Sequence, residues 1–279
     1  MRRLFKTRRR AFYSGLFLTY VLTMLFGGCA SKLILYPSRQ PIDALSARRE
    51  LIPTGANRVL EAWVDRSPGG RRNEPAAYVL EFTGNATRAE QVATFAAYRW
   101  RDRPVEAWTI NFPGYGGSTG PADLAAIPPA ALAAYDHVAK VANGKPIFVA
   151  ANSIGCTAAL YTAAHRPTAG LILQNPPALR NLILTRFGWW NLWLLATPVA
   201  LQIPGDLDGP TNAANITAPA IFILADSDTL VVPANSLKTV HAYAGPKRIV
   251  RYAGGHNDGV NGDSERELDA GFDWLLAPR

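Results

Sequence analysis

Pro146-Ile-Phe-Val-Ala-Ala-Asn-Ser-Ile-Gly-Cys156 reads as an apolar strand, a sharp turn with Ser153 at its apex, and the opening of a helix-compatible segment that runs to His165. The residues flanking the serine, Ala151, Gly155 and Cys156, are all small, and a turn this tight leaves no room for larger side chains. Such an elbow raises a hydroxyl at the carboxyl edge of a parallel sheet and aims the amide of the next residue at a bound carbonyl oxygen. Ala151 stands where the usual pattern has glycine, so the same residues also fit a plain strand-to-helix connection that holds an incidental serine.

Outward from the elbow, strands and helices alternate. Upstream come strands at 58–65, 76–82 and 105–110, with helices at 88–101 and 122–141; downstream come strands at 171–174, 220–224 and 247–252, with helices at 234–243 and 264–276. The stretch from Lys32 to Pro37 reads as an edge strand or extended lead-in, and 69–73 as a turn. Alternation of this kind builds βαβ units, hence an α/β fold with a mainly parallel sheet covered on both faces, whose ligands bind at the carboxyl ends of the strands. One irregular region, Pro176 to Thr217, is too long for a structureless loop and reads as a small helical cap over the sheet edge. Its aromatics, among them Trp189, Trp190 and Trp193, are expected to pack against the body; an acyl-binding or membrane-facing lid is the sharper alternative.

A serine hydroxyl is a poor nucleophile at neutral pH and needs a base, and the base needs a carboxylate to orient it. Of the four histidines, His137 and His165 fall in helix-like stretches and His241 near a helix end, whereas His256 sits in Ala253-Gly-Gly-His-Asn-Asp258, directly after the last strand. The acid is sought in Leu224-Ala-Asp-Ser-Asp-Thr-Leu-Val-Val-Pro233, which offers Asp228 and, as the alternative, Asp226. The chain order Ser, Asp, His is that of α/β-hydrolases.

From about Leu33 onward the chain resembles the α/β-hydrolase superfamily, and specifically the Bem46-like serine hydrolases related to the ABHD17 depalmitoylases. The matching pieces are Leu33-Ile-Leu-Tyr-Pro-Ser-Arg39, Leu80-Glu-Phe-Thr-Gly-Asn-Ala86, Asn111 to Gly120, the elbow, Ala225 to Pro233, and Gly254-Gly-His-Asn-Asp258. The resemblance implies an oxyanion hole made by the backbone amides of Asn85 and Ile154, with Thr83 where the family usually has histidine. It selects Asp228 as the acid. The Trp-rich cap and the N-terminal tether favour an ester or thioester of an acyl or lipid-like substrate, and with no cysteine and histidine cluster or phosphate-binding glycine loop in the sequence no cofactor and no metal is implied.

The net charge of +8 is a matter of the N-terminus: residues 1–29 hold six basic and no acidic residues, which leaves 23 basic against 21 acidic over the rest. That distribution gives no case for nucleic-acid binding. The basic front, the apolar run from Ala11 to Gly28 and the ending Phe26-Gly-Gly-Cys-Ala-Ser31 read as a targeting segment, with Cys29 as the lipidated residue of a bacterial lipoprotein and residues 30–279 as the hydrolase domain at the cell envelope. An uncleaved signal anchor is the competing route. Cys156 reads as a small buried packing residue, which leaves no disulfide. Thr83 and Ala151 keep open a non-catalytic envelope lipoprotein that uses the fold as a binding module. An exported serine peptidase is the third reading, weakened by the absence of a propeller-sized domain.

Overall fold

The computed structural model describes residues 2–26, 28–55 and 57–277, with the side chains of 2–8 and 24–26 left aside; Gly27 of the expected processing motif lies outside this set. In chain order the elements are α1 (Arg2–Phe26), α2 (Cys29–Ile34), β1 (Arg48–Pro53), β2 (Val59–Arg66), α3 (Pro68–Arg72), β3 (Ala77–Phe82), α4 (Ala89–Tyr98), β4 (Val105–Ile110), α5 (Ile127–Ala142) and β5 (Ile147–Asn152). There follow α6 (Gly155–His165), β6 (Gly170–Gln174), α7 (Leu179–Phe187), α8 (Ala196–Gln202), α9 (Gly209–Ala213), β7 (Ala220–Ala225), α10 (Pro233–Ala242), β8 (Lys247–Tyr252) and α11 (Asp263–Leu276).

The strands form one eight-stranded sheet in the order β1-β2-β4-β3-β5-β6-β7-β8. The pairs β1–β2 and β2–β4 are antiparallel and the remainder parallel. Both faces are covered, and the side-chain period of two divides each strand between two cores. Along β5, Ile147, Val149 and Ala151 join the core under α5 and α6, while Phe148 and Ala150 join the one beneath α4 and α11. Along β7, Phe222 and Leu224 face the first core and Ile221 and Ile223 the second. In the second, the Trp100 and Phe272 rings stack with centroids 4.6 Å apart, a pairing worth about 0.5–1.5 kcal/mol beyond its buried area.

The secondary structure departs from the sequence reading at three places before β3. Residues 29–34 are helical, and the extended course begins only at Leu35. Helix α2 is fixed by tertiary contacts: Ala30 and Leu35 are buried, and the Ser31 hydroxyl donates to Asp123 Oδ1 at 2.9 Å and accepts the Leu124 amide at 3.0 Å. The expected turn at 69–73 is the short helix α3, capped by Ser67, whose hydroxyl accepts the Gly70 amide at 2.9 Å. Strand β1 was not anticipated because it is an edge strand in which only Ile52 is buried, so it shows little apolar pattern.

The loop after β4 is held by a buried carboxylate. Glu61 of β2 accepts the Gly117 amide at 2.6 Å, Asn111 Nδ2 at 2.7 Å and Arg49 Nε at 2.5 Å. Burial pushes the Glu61 carboxyl up, but the Gly117 amide, Arg49 and Asn111 together outweigh it and hold the group below its ordinary value. A carboxylate whose folded pKa lies below its unfolded one stabilises the fold at neutral pH, and that contribution is lost as pH falls through the folded value. Glu61→Gln should therefore melt lower than the parent near neutral pH and lose less Tm on acidification from about pH 6 to about pH 3. Parallel acid slopes in the two proteins would exclude this role.

Candidate active site

Ser153 follows the last residue of β5 with φ +52°, in the left-handed region that non-glycine residues seldom occupy. The strain is imposed from both sides. The Ser153 amide donates to Gln174 O at 2.9 Å, tying the turn to the end of β6, and Cys156 N returns to Ser153 O at 2.9 Å as α6 begins. Gly155 is obligatory: a Cβ there would lie 2.3 Å from Phe82 O and 2.5 Å from Thr83 O, so α6 can approach β3 only without a side chain. Ala151, by contrast, is accommodated in the core, 5% exposed. Cys156 is fully buried, its thiol directed to Ala151 O and Gln174 O, and burial pushes that thiol well up.

The structure brings Ser153, His256 and Asp228 together. His256 Nε2 lies 2.9 Å from Ser153 Oγ and His256 Nδ1 lies 2.6 Å from Asp228 Oδ2. Asp228 is 4% exposed, and its other oxygen accepts the amides of Leu230 and Val231, both at 2.8 Å. Asp226 does not join them: it pairs at the surface with Arg251 of β8. The other histidines lie elsewhere. His165 and His241 are exposed, and His137 is half-buried against Trp108, with its pKa lowered by that burial.

The loop after β3 borders the serine. A Cβ on Gly84 would stand 3.5 Å from Ser153 Cβ, so the loop packs against the serine side chain at Gly84. The Thr83 hydroxyl donates to Thr87 O at 3.2 Å and so braces this loop from within. The side chain of Asn85 does something the sequence reading missed. Its Oδ1 accepts from the Tyr36 amide, the Tyr115 hydroxyl and the Ala86 amide, each at 3.0 Å, and its Nδ2 donates to Ile34 O. One amide thus joins the lead-in segment, the β4 loop and the β3 loop around Ser153. Burial pushes the Tyr115 phenol up to about 12, so it stays a neutral donor.

The histidine loop is braced too. Asp258 Oδ2 accepts the Gly255 amide at 2.7 Å, and the Tyr252 hydroxyl donates to Asp258 O at 3.1 Å. Asn175, at the end of β6, accepts the Ala225 amide at 2.9 Å and reaches His256 O at 3.5 Å. These contacts span up to 81 residues of chain, and no local pattern announces them.

Above Ser153 lies a cavity of about 180 Å³ whose walls include Asn85, Ile154, Leu182, Ile183 and Val231. It shares Ile34, Tyr36, Ile183 and Phe187 with a second cavity of about 320 Å³ that continues beneath α7 and α8 as far as Trp190. The two adjoin as an apolar groove between the nucleophile and the cap, with these residues as their common walls. The tryptophans of 187–195 do not pack into the body as expected: Trp189, Trp190 and Trp193 are 68%, 58% and 48% exposed. Helices α7 and α8 already fill the space over the sheet edge, with Leu179, Leu182 and Val199 buried there, and this leaves the connecting turn outside.

A mainly parallel sheet with the elbow after its fifth strand, the acid after the seventh and the histidine after the eighth is the α/β-hydrolase fold. Solved structures of low identity match it closely. Est1E from Butyrivibrio proteoclasticus, solved with ferulic acid bound, is 19% identical, covers 81% of this chain and 98% of its own, and superposes with a TM-score of 0.64. An esterase of Pyrococcus furiosus is 14% identical over 88% of this chain and 98% of its own, with a TM-score of 0.61. By sequence, the chain is 27% identical over 248 residues to an uncharacterized protein of Mycobacterium tuberculosis strain H37Rv, a match covering 86% of this chain and 84% of that one. No family model matches the chain.

Proposed function

We propose that the protein is a serine hydrolase that cleaves carboxylic ester or thioester bonds of acyl or lipid-like substrates through an acyl-enzyme. The observation that carries this reading is the unbroken line Ser153 Oγ, His256 Nε2, His256 Nδ1, Asp228 Oδ2, with the serine in a left-handed turn. Asp228 has only acceptor atoms to offer, so His256 carries its proton on Nδ1 and presents the lone pair of Nε2 to the hydroxyl. His256 takes the Ser153 proton as Oγ attacks the acyl carbonyl, and the imidazolium is stabilised by Asp228. In this reading the backbone amides of Asn85 and Ile154, residues that line the same cavity as Ser153, stabilise the tetrahedral oxyanion. His256 then protonates the leaving alcohol or thiol, and water, activated by the same nitrogen, releases the acid. The esterase among the structural neighbours and the ferulic acid bound to Est1E support an ester substrate.

The apolar groove supports a preference for acyl chains over acetate. Trp190 lines its far end, so Trp190→Ala should lower kcat/KM on an octanoate ester by about tenfold while leaving an acetate ester within about twofold. Equal loss on both esters would mean that Trp190 only holds the cap. Attachment to the cell envelope through a lipid on Cys29 is part of the proposal, supported by the Gly-Gly-Cys sequence and by the position of Cys29 at the start of α2, partly exposed. Among the described residues no helix is long and apolar enough to cross a membrane. The decisive experiment is labelling with a fluorophosphonate probe. The parent should label, and Ser153→Ala and His256→Ala should not; a folded parent that fails to label would overturn the reading in favour of a binding module.

A further inference from the structure

The cap turn that carries the exposed tryptophans has a surface of one chemical kind. Trp189, Trp190, Leu192, Trp193 and Leu194 are 68%, 58%, 75%, 48% and 61% exposed within six residues. A cluster of large apolar side chains on that scale marks an interaction site. Beside it, Leu33 and Tyr36 are also exposed, at 49% and 61%, so the lead-in after Cys29 extends the same patch along the mouth of the groove.

The segments that carry the patch hold charge of one sign. Residues 29–42 and 176–205, which processing at Cys29 would retain, contain four basic residues, Lys32, Arg39, Arg180 and Arg186, and not one Asp or Glu. Residues 29–279 hold 23 basic residues, and taking those four away leaves 19 basic against 21 acidic, so the rest of that part is slightly negative. Tryptophan prefers the level of lipid headgroups, and lysine and arginine are drawn to anionic lipid.

Helix α1 supplies a further argument. It lies on α8, and the Tyr20 hydroxyl donates to Leu194 O at the edge of the patch, while Phe12, Leu16 and Phe17 remain exposed along the helix. Processing at Cys29 would remove this helix, bare the outer side of α8, and attach a lipid at the same edge.

We propose that the cap turn 187–194, together with the Leu33–Tyr36 lead-in, docks on the headgroup region of an anionic bilayer, so that the groove rimmed by Trp190 opens toward the lipid. The proposal shares its groove with the function proposed above and is tested without reference to turnover. In the full chain carrying Cys29→Ala, an environment-sensitive nitrobenzoxadiazole label is placed through Trp189→Cys and, independently, through Leu192→Cys. The control is Lys140→Cys, exposed at the end of α5, where the chain turns to enter the amino end of β5. Buried Cys156 does not compete for the label.

On vesicles of phosphatidylglycerol and phosphatidylethanolamine, the emission of both cap labels should shift to the blue and strengthen, while the control label stays unchanged. The shift should weaken on phosphatidylcholine vesicles and in about 1 M salt. Replacing Trp190 and Trp193 together by serine should weaken vesicle partitioning of the cap labels about tenfold or more. Cap labels that keep a water-like emission while the protein cosediments with anionic vesicles would overturn the proposal. So would a shift that appears without lipid and grows with protein concentration, because the patch would then be covered by a second copy. Fluorophosphonate labelling of the same preparations reports on the catalytic reading separately, so either can fail while the other stands.

Discussion

Ser153→Ala and His256→Ala are each expected to lower kcat on a soluble butyrate ester by about 10⁵ to 10⁶, and the double variant no further, because the two act as one unit. Asp228→Asn should cost about 10⁴. An asparagine can turn its amide toward Nδ1 and donate where the carboxylate accepts; the ring then carries its proton on Nε2 and faces Ser153 Oγ with a donor, across the 2.9 Å that proton transfer must cross. The oxygen that accepts Leu230 and Val231 is kept in this variant, so the loop should hold and Tm should move little. Asp226→Asn is the contrast. Its partner is the half-exposed Arg251, and a surface pair of that kind is worth about 0–1 kcal/mol, so kcat should stay within about twofold of the parent. Comparable losses at 226 and 228 would remove the assignment of Asp228 as the orienting acid.

Legibility in the sequence followed the range of the interactions. Buried parallel strands such as β5 and β7 display themselves as short apolar runs, and the elbow shows through its small residues, so the α/β-hydrolase fold could be read from the chain. Edge strand β1 buries one side chain and left no comparable mark. Helix α2 was misread because Leu33-Ile-Leu-Tyr36 has the composition of a strand, while the contacts that make 29–34 helical, such as Ser31 with Asp123, come from 92 residues away. The same limit applies within the site. Asp226 and Asp228 are two residues apart in one loop, and what distinguishes them is the turn of the backbone that offers the Leu230 and Val231 amides to the second. The bonds from Tyr115 and Tyr36 to Asn85 close three separate loops around Ser153 and have no sequence period at all. Exposure of the cap tryptophans is a property of how completely α7 and α8 fill the sheet edge, which composition does not encode.

Gly155→Ala is expected to damage both the fold and the site with a single methyl group. The added carbon would stand 2.3 Å from Phe82 O and 2.5 Å from Thr83 O, and both contacts are backbone, which cannot rotate away. Relief requires α6 to withdraw from the end of β3. Overpacking of this order costs about 3 kcal/mol, which for a domain of this size lowers Tm by about 6–12 °C. Activity should suffer beyond the loss of folded protein. The displaced carbonyls belong to Phe82 and Thr83, and the next residue, Gly84, packs against the Ser153 side chain, so the retreat of α6 moves the serine relative to the β3 loop, where the proposed oxyanion donor Asn85 lies. A misplacement of about 1 Å can cost about 10²-fold in rate, and kcat measured well below the lowered Tm should show it. Gly205→Ala is the matched control: a Cβ there meets no atom within 4 Å, and its effect on Tm and on kcat should be negligible. If Gly155→Ala melted with the parent, α6 would have room to spare against β3, and the tight approach that forces Ser153 into its left-handed turn would have to be abandoned as the reason for the elbow.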